Sequence, residues 1–185
     1  MLLHLIRHPK LDIAPDICYG QSDIPANHVH CTQIADELRM LLPVNLSVIS
    51  SPLQRCHVLA RMLHHAPVID ARLMEKNFGA WEMRSWENIA RAEIDAWVLD
   101  VVGYVPFGGE SVLMMAKRVL DFLTSLPMCR ELEGTETVLV THGGPLSMIL
   151  AYQFGMSAED LANAVAMKRK NLDFGDCVQV QIKLC

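Results

Sequence analysis

Short apolar runs that break off at polar residues, with helix-period stretches between them, constrain this chain more than any other feature. Leu2–Ile6 is the first such run, and its end delivers Arg7-His8. Val44–Ser50 and Thr137–Thr141 repeat the pattern, ending near Ser51–Arg55 and at His142, and Val68–Ile69 is a shorter instance. Continuous apolar runs of this length suit strands covered on both faces of a sheet. Between them, Val29, Ile34, Leu38, Leu41 and Leu42 recur at close to helical spacing before Pro43. Val112, Ala116, Val119, Leu123 and Leu126 do the same after Glu110-Ser111. Strands alternating with helices predict an α/β fold of three layers, helices on both faces of a mainly parallel sheet.

The connections carry the remaining expectations. Pro9 to Asn27 contains three prolines, Gly20 and several aspartates and reads as a long loop. Ser51-Pro52 is expected to start a helix, with the serine as its cap. Ser85–Ala90 and Arg91–Asp100 are both expected to be helical, and Pro145–Phe154 to form a helix after His142-Gly143-Gly144. Val165–Leu172 and Val178–Lys183 are expected to pair as a β-hairpin about Asp173–Asp176.

Composition narrows the function classes. At 185 residues and 51% hydrophobic, the chain can bury roughly 70% of its unfolded surface as one domain, expected over residues 1–185. It opens without a signal-peptide pattern and no apolar run reaches the length of a membrane span, so the expected location is the cytoplasm. The net charge of −5 argues against a nucleic-acid footprint, and Lys168-Arg169-Lys170 reads as a solvated part of a strand or turn. The six cysteines are widely and irregularly spaced with no C-x-x-C pair, which fits reduced thiols. His28-x-His30 and His64-His65 have no carboxylate or cysteine at usable spacing, so no metal site is expected.

In a parallel sheet, ligands bind beyond the carboxyl ends of the strands. Arg7-His8, Ser50–Arg55 and Thr141-His142 stand at three such ends. Two arginines and two histidines converging there suit a phosphate, because arginine presents planar, permanently charged forks to oxyanions. Helix N-termini near Pro52 and Pro145 would turn their backbone dipoles toward the same anion. An imidazole can also serve as a nucleophile.

Four stretches in order, Leu5-Ile6-Arg7-His8, Ser50-Ser51-Pro52-Leu53-Gln54-Arg55, Glu75-Lys76-Asn77-Phe78-Gly79 and Val140-Thr141-His142-Gly143, resemble the histidine phosphatase (phosphoglycerate mutase-like) superfamily over almost the whole chain. Cys18–Pro25, Phe78–Glu82 and Pro106–Ser111 look most like its bacterial α-ribazole phosphatase group. The resemblance implies that His8 becomes phosphohistidine, that Arg7, Arg55 and His142 hold the phosphoryl oxygens, and that Glu75 gives and takes the proton. Gly143, Tyr19 and Glu82 are further candidates for substrate contact, although Glu82 on its own reads better as a group that orients the loop. Pro9 and Met83 stand where relatives commonly carry glycine.

Phosphoglycerate mutase-like transfer and broad sugar-phosphate hydrolysis are the nearer alternatives, and a non-catalytic phospho-ligand-binding protein the more distant one. A serine hydrolase fails for want of a G-x-S-x-G elbow, and a dinucleotide-binding module for want of G-x-G-x-x-G or a P-loop. The expected partner is a small phosphomonoester, with no cofactor, nucleic acid or membrane, and no feature of the sequence speaks to oligomeric state.

Overall fold

A computed structural model describes residues 1–126, 136–168, 170 and 172–183. Strand β1 (Leu2–Arg7) and β6 (Glu136–Thr141) lie at the centre of a five-stranded sheet with β3 (Leu46–Ser50), β4 (Val68–Ile69) and β7 (Cys177–Gln181), in the order β4-β3-β6-β1-β7. The first four are parallel, and β7 runs antiparallel to β1 on the edge. Two more two-residue strands, β2 (Ile17–Cys18) and β5 (Arg84–Ser85), pair with each other away from this sheet.

Alternation along the central strands divides the core. Leu3, Leu5, Ile49 and Leu139 face one side, packed by α4 (Val112–Ser125), α5 (Gly143–Ala151) and α6 (Ala158–Met167). Ile6, Val48, Val138 and Val140 face the other, under α1 (His28–Leu41) and α2 (Gln54–Leu63). Because successive side chains of a strand point to opposite faces, such runs must be apolar throughout. The sheet with helices on both faces is the predicted α/β architecture.

Local chemistry sets most helix starts. Asn27 caps α1 by accepting from His30 N–H at 2.9 Å, and Ser111 caps α4 by accepting from Met114 N–H at 3.0 Å. Helix α2 departs from expectation, for it begins at Gln54 with Leu53 as its cap residue. Asp23, reaching over from the long loop, accepts from Gln54 N–H at 2.7 Å, which frees the Ser51 hydroxyl for another partner.

Two further expectations are corrected. Residues 165–172 do not form the first arm of a hairpin, because Ser157 and Asp160 make a reciprocal capping box that starts α6 and carries it to Met167. The partner of β7 is β1, at the opposite end of the chain. Ser85–Ala90 is not a continuous helix either. Ser85 belongs to β5, and only Trp86–Asn88 follow as a single 3-10 turn. In the basic triplet, Lys168 terminates α6 and Lys170 donates to Leu150 O, while Arg169 lies outside the described residues.

Between β4 and α4 the chain leaves the sheet and builds a small aromatic lobe, with Cys18, Trp81 and Ile89 at its centre and Phe78, Trp86, Trp97 and Tyr104 around them. Helix α3 (Arg91–Leu99) forms its outer part. Met83, 56% exposed, holds a left-handed backbone with φ of 61° while its N–H donates to Cys18 O. Glycine takes this conformation without cost, whereas a residue with a Cβ does not.

Candidate active site

The register of the two central strands assembles the site. Arg7 lies opposite Thr141, so the next residues, His8 and His142, leave the sheet side by side, with ring centroids 5.1 Å apart. His8 N–H donates to Thr141 O at 2.9 Å and fixes the exit of β1. On the other flank Ser50 pairs with Val140, and the Ser51 hydroxyl lies 2.8 Å from His142 Nε2.

Hydrogen-bond partners decide the state of each ring. The Arg55 guanidinium, a donor only, gives its Nε–H to His142 Nδ1 at 3.2 Å. That nitrogen therefore holds a lone pair, and Nε2 carries the proton toward Ser51. Burial, then His8 and Arg55, hold the His142 pKa well below its usual 6.5, so the ring is neutral. His8 Nδ1 is 2.7 Å from Pro9 O, an acceptor only, so Nδ1 carries the proton and Nε2 is left with a free lone pair. Burial first, then the Arg55 charge, push His8 down to about 3. At 1% exposure its imidazole stays neutral through the physiological range.

Arg7 runs from the same strand end across Phe174, with its guanidinium carbon 4.0 Å from the ring centroid, and donates to Leu172 O at 2.6 Å. Among the described residues its buried Nε has no partner. Arg55 is fully buried and donates to the carbonyls of Ser22 at 2.8 Å and Gly20 at 2.5 Å, which fastens the long loop over the strand ends. Tyr19, from the same loop, lies beneath Arg55 at 5.3 Å, and burial followed by Glu75 raises its phenol pKa.

Glu75 stands at the first turn of α5. Both its oxygens accept from Gly144 N–H, at 3.2 and 3.1 Å, and one also accepts from Lys76 N–H at 2.8 Å. A Cβ at Gly144 would collide with this carboxylate, so the glycine is needed for the approach. The Glu75 backbone is held from behind by Arg118. That guanidinium donates to Glu75 O at 3.0 Å and Arg72 O at 2.7 Å while pairing with both oxygens of Glu110.

A cavity of about 390 Å³ opens beside these groups. Arg7, Tyr19, Glu75 and Gly144 line it, whereas His8, Arg55 and His142 do not. Much of the remaining wall is aromatic, from Phe78, Trp86 and Trp97, the two indoles stacked at 5.9 Å.

The structure thus gathers Arg7, His8, Arg55, Glu75, His142, Gly143 and Tyr19 at one sheet edge. Glu82 is placed apart from the cavity. It accepts from Gln21 N–H, the Ser22 hydroxyl and Phe78 N–H at 2.7–2.9 Å, as a strut between loop and lobe. Sequence reasoning missed Ser51, Arg118, Glu110 and Phe174. The Gly143-Gly144 pair could have signalled the close approach of Glu75 to Gly144, but nothing local marks Phe174, which arrives from the end of the fold. Among the described residues, no three histidine, cysteine, aspartate or glutamate side chains stand together as a metal-binding group, and no helix is long and apolar enough to cross a membrane.

Residues 3–170 match the family model of the histidine phosphatase superfamily, branch 1. The chain belongs to this family and is a histidine phosphatase. It is 31% identical to the adenosylcobalamin/α-ribazole phosphatase of Escherichia coli K12 over 169 residues, covering 86% of this chain and 82% of that one. Among solved structures, the α-ribazole phosphatase from Shigella flexneri superposes with a TM-score of 0.81 at 26% identity, over 99% of this chain and 91% of the other. The mycobacterial glucosyl-3-phosphoglycerate phosphatase gives 0.75 at 26% identity, over 96% and 88%.

Proposed function

We propose that the chain hydrolyses a phosphomonoester with a ring-bearing leaving group, α-ribazole 5′-phosphate being the foremost candidate, through a phosphohistidine on His8. The observation that carries this is the state of His8: a neutral imidazole with its proton tied to Pro9 O, its Nε2 lone pair free, and Arg7, Arg55 and His142 around it. In the first step Nε2 attacks phosphorus as the bond to the leaving oxygen breaks, and Glu75 protonates that oxygen. The Arg7 and Arg55 charges offset those of the phosphoryl oxygens, and the His142 Nε2–H turns from the Ser51 hydroxyl to donate to one of them, which is most of what phosphoryl transfer asks of a protein. In the free enzyme the Glu75 carboxylate occupies the α5 N-terminus, a place that suits a phosphate oxygen equally well. An arriving dianion competes for Gly144 N–H and leaves Glu75 to carry a proton. The ionised carboxylate then takes a proton from water, which attacks phosphorus and breaks the P–N bond.

The substrate assignment is supported by the E. coli and Shigella relatives and by the aromatic cavity, which offers flat faces to a ring. The test is rapid quench with labelled α-ribazole 5′-phosphate. An acid-labile, base-stable phosphoenzyme should form and be absent in His8→Asn, with turnover down about 10⁴-fold or more. Label persisting in that variant would refute the nucleophile. Turnover of simple sugar phosphates with none of α-ribazole 5′-phosphate would refute the substrate.

A further inference from the structure

Lys76 is only 5% exposed, and its ammonium is buried without a hydrogen-bond partner among the described residues. It rests on the Phe78 face, 4.3 Å from the centroid, and lines the cavity beside Arg7 and Glu75. An unpaired buried donor carries a desolvation cost that a native fold seldom leaves standing. Nor is it alone, for among the described residues Trp97 Nε1 and Arg7 Nε are also buried and unpartnered, and both residues line the same cavity. Three residues that line one space therefore each hold a buried nitrogen that can only donate, and what completes such groups is a set of lone pairs.

The charge of Lys76 is already balanced. Glu110, Glu75 and Glu82 all act on it through space, yet each is bonded elsewhere: Glu110 to Arg118, Glu75 to Gly144 N–H, and Glu82 to the loop. Burial outweighs them and brings the Lys76 pKa down to about 8. An incoming anion would face three carboxylates, whereas a neutral oxygen or nitrogen meets the need without a new charge.

Resting on the substrate class set out above, we propose that Lys76, assisted by Trp97, determines specificity by donating to a neutral hydrogen-bond acceptor of the leaving group, a hydroxyl, ether oxygen or ring nitrogen. The Phe78, Trp86 and Trp97 faces hold the ring that carries it. Arg7 Nε remains for the phosphoryl group. A site built around such donors rejects analogues lacking the acceptor, since its own groups then stay unpaired.

The test compares kcat/KM for pyridin-3-ylmethyl and pyridin-4-ylmethyl phosphates with that for benzyl phosphate, which has the same shape without the ring nitrogen. Wild type should favour at least one pyridyl ester by about tenfold. Lys76→Met should bring that ratio to about one, mainly through KM, and Lys76→Arg should restore part of it. Trp97→Phe, which keeps a ring and removes the N–H, should lower the ratio less. A ratio does not depend on the fraction of folded enzyme, so a poorly folding variant still answers. If Lys76→Met lowers both esters equally, Lys76 only supports the fold and the proposal is overturned. It is also overturned if 4-carboxybenzyl phosphate is the ester most favoured by wild type and most impaired in Lys76→Met, because the occupant is then an anion. Loss of the pyridyl preference in Lys76→Met alongside no turnover of α-ribazole 5′-phosphate would uphold the role of Lys76 while removing that substrate.

Discussion

The two walls of the active site are built on opposite terms. Around His8 and His142 nearly every polar group has a partner: main-chain register aligns the rings, Pro9 O and Ser51 fix their protons, and Arg55 bonds three acceptors at once. In the neighbouring aromatic lobe, Lys76 and Trp97 keep donors unpaired among the described residues, and Phe78, Trp86 and Trp97 line the cavity. The sheet edge is preorganised for a reaction and asks nothing of the leaving group. If the lobe receives the leaving group as proposed, selectivity can change there without disturbing the chemistry.

The sharpest break in that contrast comes from Glu75, which stands where the two walls meet. Glu75→Gln should slow the phosphorylation step about 10³-fold for an alkyl phosphate, whose alkoxide leaves poorly without a proton. An aryl phosphate with an acidic phenol should lose much less in single-turnover measurements. Equal losses would remove Glu75 as the acid.

A second test separates the walls by pH. Both histidines are held neutral in the folded state, His8 down to about 3 and His142 well below 6.5, whereas in the unfolded chain each protonates near 6.5. The unfolded state then binds more protons as pH falls below 6.5, so stability drops with acidity, by at most about 1.4 kcal/mol per pH unit for each ring. Urea midpoints measured from pH 7 to pH 5 should fall accordingly, and His8→Asn should remove about half of the slope. An unchanged slope would show that the His8 ring accepts a proton in the folded protein.

These outcomes also bear on what the sequence could reveal. Strands β1 and β6 were legible because burial on both faces demands uninterrupted apolar runs, and α1 and α4 because their apolar stripe repeats at helical spacing behind a capping residue. Arg7, His8, Arg55 and His142 were legible because each stands at a strand end or in the first turn of a helix, whereas Glu75 lies in a loop and was reached only through the family resemblance. The pairing of β7 with β1 was not, since it joins the two ends of the fold and leaves no local trace. Residues 165–167 are apolar enough for either a strand or a helix end, and the capping box eight residues earlier decided between them. Lys76 was visible only as part of a motif, because its missing partner is a property of packing.

The smallest expected effect lies at Met83, on the lobe side. Met83→Gly should relieve its left-handed backbone and raise stability by about 1 kcal/mol while leaving the His8 wall unaltered. Thermal denaturation would show the gain, and a loss would mean that the side chain packs against the lobe more than its exposure suggests.

The turn that precedes β7 carries a consequence for the timing of synthesis. Gly175 N–H donates to Arg7 O, Arg7 N–H donates to Asp176 O, and Phe174 supports the Arg7 guanidinium. Arg7 also donates to Leu172 O, 165 residues further along the chain. The end of β1 is therefore held by a segment synthesised 165 residues after it. Until the Leu172–Asp176 segment has been made and has folded back, Arg7 lacks the contacts that hold its backbone and aim its guanidinium.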